Sequence, residues 1–226
     1  MQQGNDFHFI CEIKKASPSA GTIRSDLNLK TQAQAYQQGG ASAISVLTDK
    51  SFFKGSLKDF TDVRTIALLP LLRKDFIIDP YQIWQSAVIG ADVILLIARI
   101  LSRSQIKTFA ELAAELGLDI LIELHDAPEI ERLPTGLEKL PVILGINNRN
   151  LDTFEIDLEH SSSLLPHLPT GIPVISESGI RTERECIWLQ EQGFRGVLIG
   201  ETLMRQKNPI EFLEKLRKAT HGIRTA

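Results

Sequence analysis

Glu12, Lys14 and Ser17 lie in one stretch, Glu12-Ile13-Lys14-Lys15-Ala16-Ser17-Pro18-Ser19, directly after the apolar run Phe7-His8-Phe9-Ile10-Cys11. If that run is a strand continuing through Lys14, then Ile10, Glu12 and Lys14 share one face, because strand side chains alternate with period two. A carboxylate and an ammonium on one face of an apolar strand are costly unless they are paired or used. Ser-Pro-Ser then ends the strand and offers hydroxyls and backbone N–H groups, an arrangement suited to anions. The competing reading is an exposed edge strand with a solvated ion pair.

Comparable groups recur at the ends of later apolar runs: Arg73-Lys74-Asp75-Phe76, Ile122-Glu123-Leu124-His125, Gly145-Ile146-Asn147-Asn148-Arg149, Ser176-Glu177-Ser178-Gly179 and Ile199-Gly200-Glu201. Lysines among carboxylates hold one another ionised, whereas burial pushes each toward neutrality. That is the setting in which a lysine serves as proton donor and a glutamate as base near neutral pH. The bland alternative is a structural ring of ion pairs. In the last two runs glycines let backbone N–H groups approach a ligand, and Ser17 is placed to complete a phosphate site with them.

These groups need a scaffold, and the alternation of the chain supplies one. Short runs rich in Val, Ile and Leu predict strands at Phe7–Lys14, Ala43–Leu47, Leu69–Arg73, Val93–Ile97, Ile120–Glu123, Val142–Asn147, Val174–Ser176 and Val197–Ile199. Amphipathic segments between them predict helices at Leu29–Gln38, Leu57–Ile66, Asp79–Ile89, Ser102–Leu116, Ala127–Leu133, Leu158–Leu164, Thr182–Gln192 and Pro209–Lys218. Ser102, Asp79-Pro80 and the Thr182/Glu185 pair read as helix starts. Nearly uniform apolar strands alternating with helices imply a parallel sheet covered on its outside. The expected fold is α/β, a (β/α)8 TIM barrel of the ribulose-phosphate-binding type, in one domain over residues 1–226. A doubly wound sheet is the alternative, but no G-x-G-x-x-G or P-loop follows the first strand. In such barrels function sits at the C-terminal ends of the strands, where the polar runs fall.

Composition is that of an ordinary globular chain: 43% hydrophobic, 23% charged, net charge −3 over 226 residues. No global basic field argues for nucleic acid. The first residues lack a basic stretch followed by an apolar one, so no signal peptide is expected. The window 87–100 carries Asp92 and Arg99 and is too short to span a bilayer. Cys11 and Cys186 read as buried thiols of a reducing compartment. A cytoplasmic monomer or weak homodimer is expected, with no nucleic-acid or membrane partner. Trp84 and Trp188 are expected to pack helices on the barrel, and His8, His160, His167 and His221 to be surface or packing residues.

The Glu12–Ser19 stretch resembles the first-strand signature of the indole-3-glycerol phosphate synthase family. Val46-Leu47-Thr48-Asp49 with Phe52-Phe53-Lys54-Gly55-Ser56 is similar to the family's second loop, and Arg73 through Ile83 to its third. The runs ending in Arg149, Ile180 and Glu201 complete the set in order. The resemblance implies closure of an indole ring on a phosphorylated substrate, with loss of carbon dioxide and water and with no metal or organic cofactor. It implies Lys74 as general acid and Glu123 as partner acid/base, with Lys14 meeting the substrate carboxylate and Glu12 orienting Lys14. It further implies Asn147 and Arg149 as positioning groups, supported by Glu177 and Ser178. Ser17, Gly179, Gly200 and the backbone of Glu201 would hold the phosphate. Phe53 and Phe76 would pack on the aromatic ring, with Leu198 among the substrate contacts. Family members usually carry a longer segment before the first strand, including a helix that caps the mouth. Six residues precede Phe7, so either the sequence is shortened at its start or this member lacks the cap.

Three alternatives stand beside this reading. One is another phosphoribose-binding barrel, such as phosphoribosylanthranilate isomerase. The second is a barrel that binds phosphate esters without turnover. The third is a metal site built on Glu123 and His125.

Overall fold

The apolar runs form eight parallel strands because they are buried on both faces, and all eight pair in sequence order. They are β1 (His8–Ile13), β2 (Ala43–Leu47), β3 (Leu71–Lys74), β4 (Val93–Ile97), β5 (Asp119–Leu124), β6 (Val142–Asn147), β7 (Val174–Glu177) and β8 (Gly196–Ile199). β8 pairs with β1, so the sheet closes into a barrel. The computed structural model describes residues 6–18, 21–24, 27–151 and 153–221; Ser19 of the first signature lies outside them.

The helices are α1 (Leu29–Gly39), α2 (Leu57–Arg64), α3 (Pro80–Val88), α4 (Arg103–Glu115), α5 (Ala127–Ile130), α6 (Leu158–Leu164), α7 (Glu183–Glu191), α8 (Glu201–Met204) and α9 (Pro209–Thr220). Ser102 with Gln105, Asp79 with Gln82 and Thr182 with Glu185 form reciprocal capping boxes at the starts of α4, α3 and α7. Two apolar layers result. Residues of one parity, such as Phe9, Cys11, Ile44, Leu71, Ile94 and Ile120, pack between strands and helices. Residues of the other parity, Ile10, Ala43, Leu72, Leu95, Ile97, Leu121, Ile175 and Leu198, fill the barrel interior.

Several expectations need correction. β1 stops at Ile13, and Lys14 stands just beyond it. β3 runs from Leu71 to Lys74, because Pro70 bars Leu69 from the ladder and Lys74 pairs with Leu47. α5 ends at Ile130, well short of Leu133, and the Pro134–Gly136 loop leads into a 3-10 turn at Leu137–Lys139. Ser-Pro-Ser does not simply break the chain. Ala16–Ser17 pairs antiparallel with Gly21–Thr22 in a small ribbon over the mouth. The short helix α8 directly after β8 was not expected either. Trp188 does pack against the core, but Trp84 is 53% exposed on the outer face of α3, beside exposed Tyr81 and Val88.

Candidate active site

The interior-facing parity that supplies apolar side chains lower in the barrel supplies charges at its C-terminal end. Glu12 on β1, Lys74 on β3, Glu123 on β5 and Glu177 on β7 follow Ile10, Leu72, Leu121 and Ile175 by two residues each. All four side chains are therefore carried by strands and aimed at the axis. Glu12, Glu123 and Glu177 are buried.

Lys74 is the centre of this cluster. Its Nζ lies 2.6 Å from Glu123 Oε2 and 2.9 Å from Glu177 Oε2. The two carboxylates converge because of Gly145. Strand register places Gly145 of β6 between Glu123 of β5 and Ile175 of β7. A Cβ at Gly145 would overlap Glu177 Oε1, so only glycine lets that carboxylate lie across β6 toward Lys74. Asn147 Nδ2 donates to Glu123 Oε1 at 3.3 Å.

The charge states follow from these distances. Burial alone would favour a neutral Lys74, but Glu123, Glu177 and Glu12 outweigh it and hold the ammonium well above the ordinary lysine range. Glu123 is also penalised by burial, yet Lys74 and His125 overcome this and keep it ionised far below the usual carboxylate range. Glu177 has Lys74 but also the repulsion of Glu123. Burial dominates there and pushes it up to about 8. Two carboxylates around one ammonium thus titrate as a pair, and burial with their mutual repulsion favours one proton held between them at neutral pH. His125, placed between Glu123 and Glu129, is pushed up to about 9: burial opposes the charged ring, and the two carboxylates prevail.

This pattern sets a stability profile. Glu177 titrates near 8 in the folded state against 4.5 as a free group, and His125 near 9 against 6.5. The folded chain therefore binds more protons than the unfolded chain across these windows, and stability is lost as pH rises through them. The melting temperature is expected to fall between pH 6.5 and pH 9, and Glu177→Gln to flatten the part below pH 8. A wild-type melting temperature that rises over this interval would contradict the assignment.

Lys14 lies 2.7 Å from Glu12 Oε1, so the first stretch is an ion pair inside the mouth. Its neighbour Lys15 points elsewhere and clamps Asp59 of α2 with both carboxylate oxygens, at 2.8 and 2.7 Å. That clamp and the ribbon fix the loop carrying Ser17, which is buried. Opposite, Ser178 and Gly179 after β7 both take positive φ, 67° and 86°. Gly200 and Glu201 begin α8. Arg149 sits at the same side, with Nη2 3.9 Å from Glu201 Oε2 and Nη1 donating to the Phe154 carbonyl. Phe53 and Phe76 meet across the mouth with centroids 6.4 Å apart, and exposed Phe52 packs edge-on against Phe76.

Glu12, Lys14, Ser17, Phe53, Lys74, Phe76, Glu123, Asn147, Arg149, Glu177, Ser178, Gly179, Gly200 and Glu201 line one cavity of about 600 Å³, which also takes in Leu198, Leu95, Ile97, Arg99, His125, Phe154, Ile156 and Arg181. Every residue singled out in the sequence as a site candidate, from Glu12 to Glu201, borders it. The contributions of β4 and the role of His125 were missed. His125 carried a signal, because it follows Glu123 by two residues and so shares its face. Among the described residues no group of three or more His, Cys, Asp or Glu is arranged to hold a metal ion. Nor is any helix among them long and apolar enough to cross a membrane.

A closed parallel barrel with acid–base groups gathered from alternate strands defines a class: the (β/α)8 barrels that work at the C-terminal rim. Solved structures agree on the fold. The chain is similar to 3-hexulose-6-phosphate synthase from Salmonella typhimurium, with a TM-score of 0.72 and 12% identity, covering 96% of this chain and 99% of that one. It is also similar to thiamine phosphate pyrophosphorylase from Pyrococcus furiosus, with a TM-score of 0.64 and 17% identity over 96% of each chain. At those identities the likeness concerns the fold alone.

Sequence comparison is more specific. Residues 1–216 match the indole-3-glycerol phosphate synthase family. The chain is 47% identical to the indole-3-glycerol phosphate synthase of Endomicrobium trichonymphae over 210 residues, which is 93% of this chain and 80% of that protein. It is 50% identical to that of Rhodopirellula baltica over 197 residues, 87% of this chain and 75% of that one. The chain belongs to the indole-3-glycerol phosphate synthase family.

Proposed function

We propose that this mouth carries out the ring closure of its family through Lys74 and Glu123. The activity converts 1-(2-carboxyphenylamino)-1-deoxyribulose 5-phosphate to indole-3-glycerol phosphate, carbon dioxide and water. The observation that carries the assignment of roles is Lys74 held between Glu123 and Glu177 at the floor of a cavity of about 600 Å³. That volume suits one substrate bearing a phosphate, a carboxylate and an aromatic ring.

The substrate's carboxylate meets Lys14, which Glu12 orients across 2.7 Å. Its aromatic ring packs by Phe53 and Phe76, with Leu198 beneath. The aromatic carbon attacks the ketone carbon, and charge builds on the ketone oxygen. Lys74, kept as an ammonium, stabilises that charge and protonates the oxygen. Loss of carbon dioxide follows, and the hydroxyl then leaves as water by accepting a second proton. Glu123 removes the one proton released as the indole forms and passes it to Lys74; the second proton consumed, which balances the carboxylate lost as carbon dioxide, comes from solvent water. Asn147 and Arg149 position the substrate, Glu177 holds Lys74 from its other side, and Ser178 supports the turn at the rim. Ser17, Gly179, Gly200 and the backbone of Glu201 hold the phosphate. The site is supplied by one chain, which fits a monomer or weak homodimer, and two buried free thiols fit a reducing cytoplasm.

Substitution of Ser17 by alanine tests the phosphate assignment. It is expected to raise KM several-fold while leaving kcat nearly unchanged, because a contact to the phosphate is the same in ground and transition states. Steady-state kinetics decide: a fall in kcat at constant KM would assign Ser17 a different role. The overall activity is checked by following indole-3-glycerol phosphate formation with purified protein.

A further inference from the structure

His125 has no role in the steps above, yet it is buried at the mouth, two residues beyond Glu123 and on the same face. Its Nε2 lies 3.1 Å from Glu123 Oε1 and its Nδ1 3.5 Å from Glu129 Oε2. Neither contact has the alignment of a hydrogen bond, so the pairing is chiefly one of charge. The backbone of His125 is fixed separately on both sides. Its N–H donates to Glu129 Oε2 at 2.7 Å, and its carbonyl accepts from His160 Nε2 of α6 at 2.6 Å.

Glu129 is set by α5. Its own N–H donates to the N-cap Asp126 at 3.2 Å, and its side chain turns back to His125. Glu129 is buried and does not border the cavity. The groups facing the imidazole are therefore Glu123 from β5 and Glu129 from α5. Asn147 from β6 reaches the same Glu123 oxygen, and Lys74 lies beyond on the other one. With two carboxylates against one buried ring, the imidazolium is the favoured form.

We propose that His125, held by Glu129, is a positioning residue for the ring closure: together with Asn147 it engages Oε1 of Glu123, fixing that carboxylate so that Oε2 exchanges protons with Lys74 and substrate. The inference rests on the roles given above to Lys74 and Glu123. The charge of the ring and the Asn147 hydrogen bond both fall on Oε1, which favours the carboxylate orientation that turns Oε2 to Lys74, and proton transfer needs that placement within a fraction of an ångström.

Glu129→Gln is the decisive variant. It removes the charge but leaves an oxygen for the His125 N–H, and it cannot touch substrate. The expected result is a fall in kcat of about 10-fold or more at an almost unchanged KM, with the alkaline limb of the kcat–pH profile displaced to lower pH. His125→Asn, which leaves the cap on the backbone intact, is expected to lower kcat in the same way and gives the answer if Glu129→Gln does not fold. Ring 15N NMR of His125, without substrate, is expected to show an imidazolium at pH 7.5 in wild type and a lower pKa in Glu129→Gln. Unchanged kcat and pH limb in a folded variant would overturn the proposal. So would a rise in KM that accounts for the whole loss, or a neutral ring in wild type. If wild type closes no ring, the activity reading fails, and the NMR result still decides whether His125 is a charged partner of Glu123.

Discussion

Lys74→Ala is expected to lower the turnover of ring closure by about 10²–10⁴-fold while weakening product binding far less. The size of the loss follows from position. Lys74 is the cation that Glu123 and Glu177 both face, at 2.6 and 2.9 Å, so removing it takes away the proton donor and the counter-charge together. Among the described residues, those proposed to hold the phosphate, Ser17, Gly179, Gly200 and Glu201, are not in direct contact with Lys74, so the binding energy assigned to them is expected to be retained. The variant also leaves two buried carboxylates without their ammonium. They respond by taking up a second proton, which is cheap at pH 5.5 and costly at pH 8. The loss in melting temperature relative to wild type should therefore grow as pH rises. Steady-state kinetics with a thermal melt at each pH check both halves. Turnover within a few-fold of wild type would remove Lys74 from the mechanism.

Glu123→Gln separates chemistry from stability in a different way. The amide keeps the volume and an oxygen for Lys74 but has no charge and cannot carry a proton. Turnover is expected to fall by about 10²–10⁴-fold. Stability, in contrast, is expected to change little near neutral pH. The repulsion of Glu123 helps keep Glu177 protonated, so removing it lets Glu177 ionise and take over the pairing with Lys74. The fall in melting temperature below pH 8 assigned to Glu177 should then shrink. A folded variant that loses turnover, melts far below wild type and keeps the wild-type pH dependence of its melting temperature would show that Glu123 acts as a structural member of the cluster only.

The residues that carry these predictions were legible because strand-borne charges are conspicuous. Glu12, Lys74, Glu123 and Glu177 each interrupt or end an otherwise apolar run, and alternation alone puts them on the interior face. Barrel closure was legible from the regular exchange of such runs with capped amphipathic segments. What stayed hidden depends on contacts between distant segments. The ribbon at Ala16–Ser17 and Gly21–Thr22 is two residues per strand, too short for any periodicity, and it lies beside the distant contact of Lys15 with Asp59. α8 is a single turn after β8. The contact of His160 with the His125 carbonyl joins α6 to the residue just after β5 across 35 positions of sequence. Trp84 was misjudged for a related reason. Helical spacing shows that a face is apolar, but not that the face meets the barrel, and Tyr81, Trp84 and Val88 form a stripe that faces outward.

Gly145 has a consequence for how this site tolerates change. Because Glu177 reaches Lys74 only over the bare backbone of β6, the charge balance of the mouth depends on a position that bears no functional group. A single methyl group there would overlap Glu177 Oε1 and force that carboxylate to shift from its present place beside Lys74. The pairing through which two carboxylates share a proton would shift with it. A scan of chemically active side chains would pass over this position, although it decides how many acids the lysine answers to.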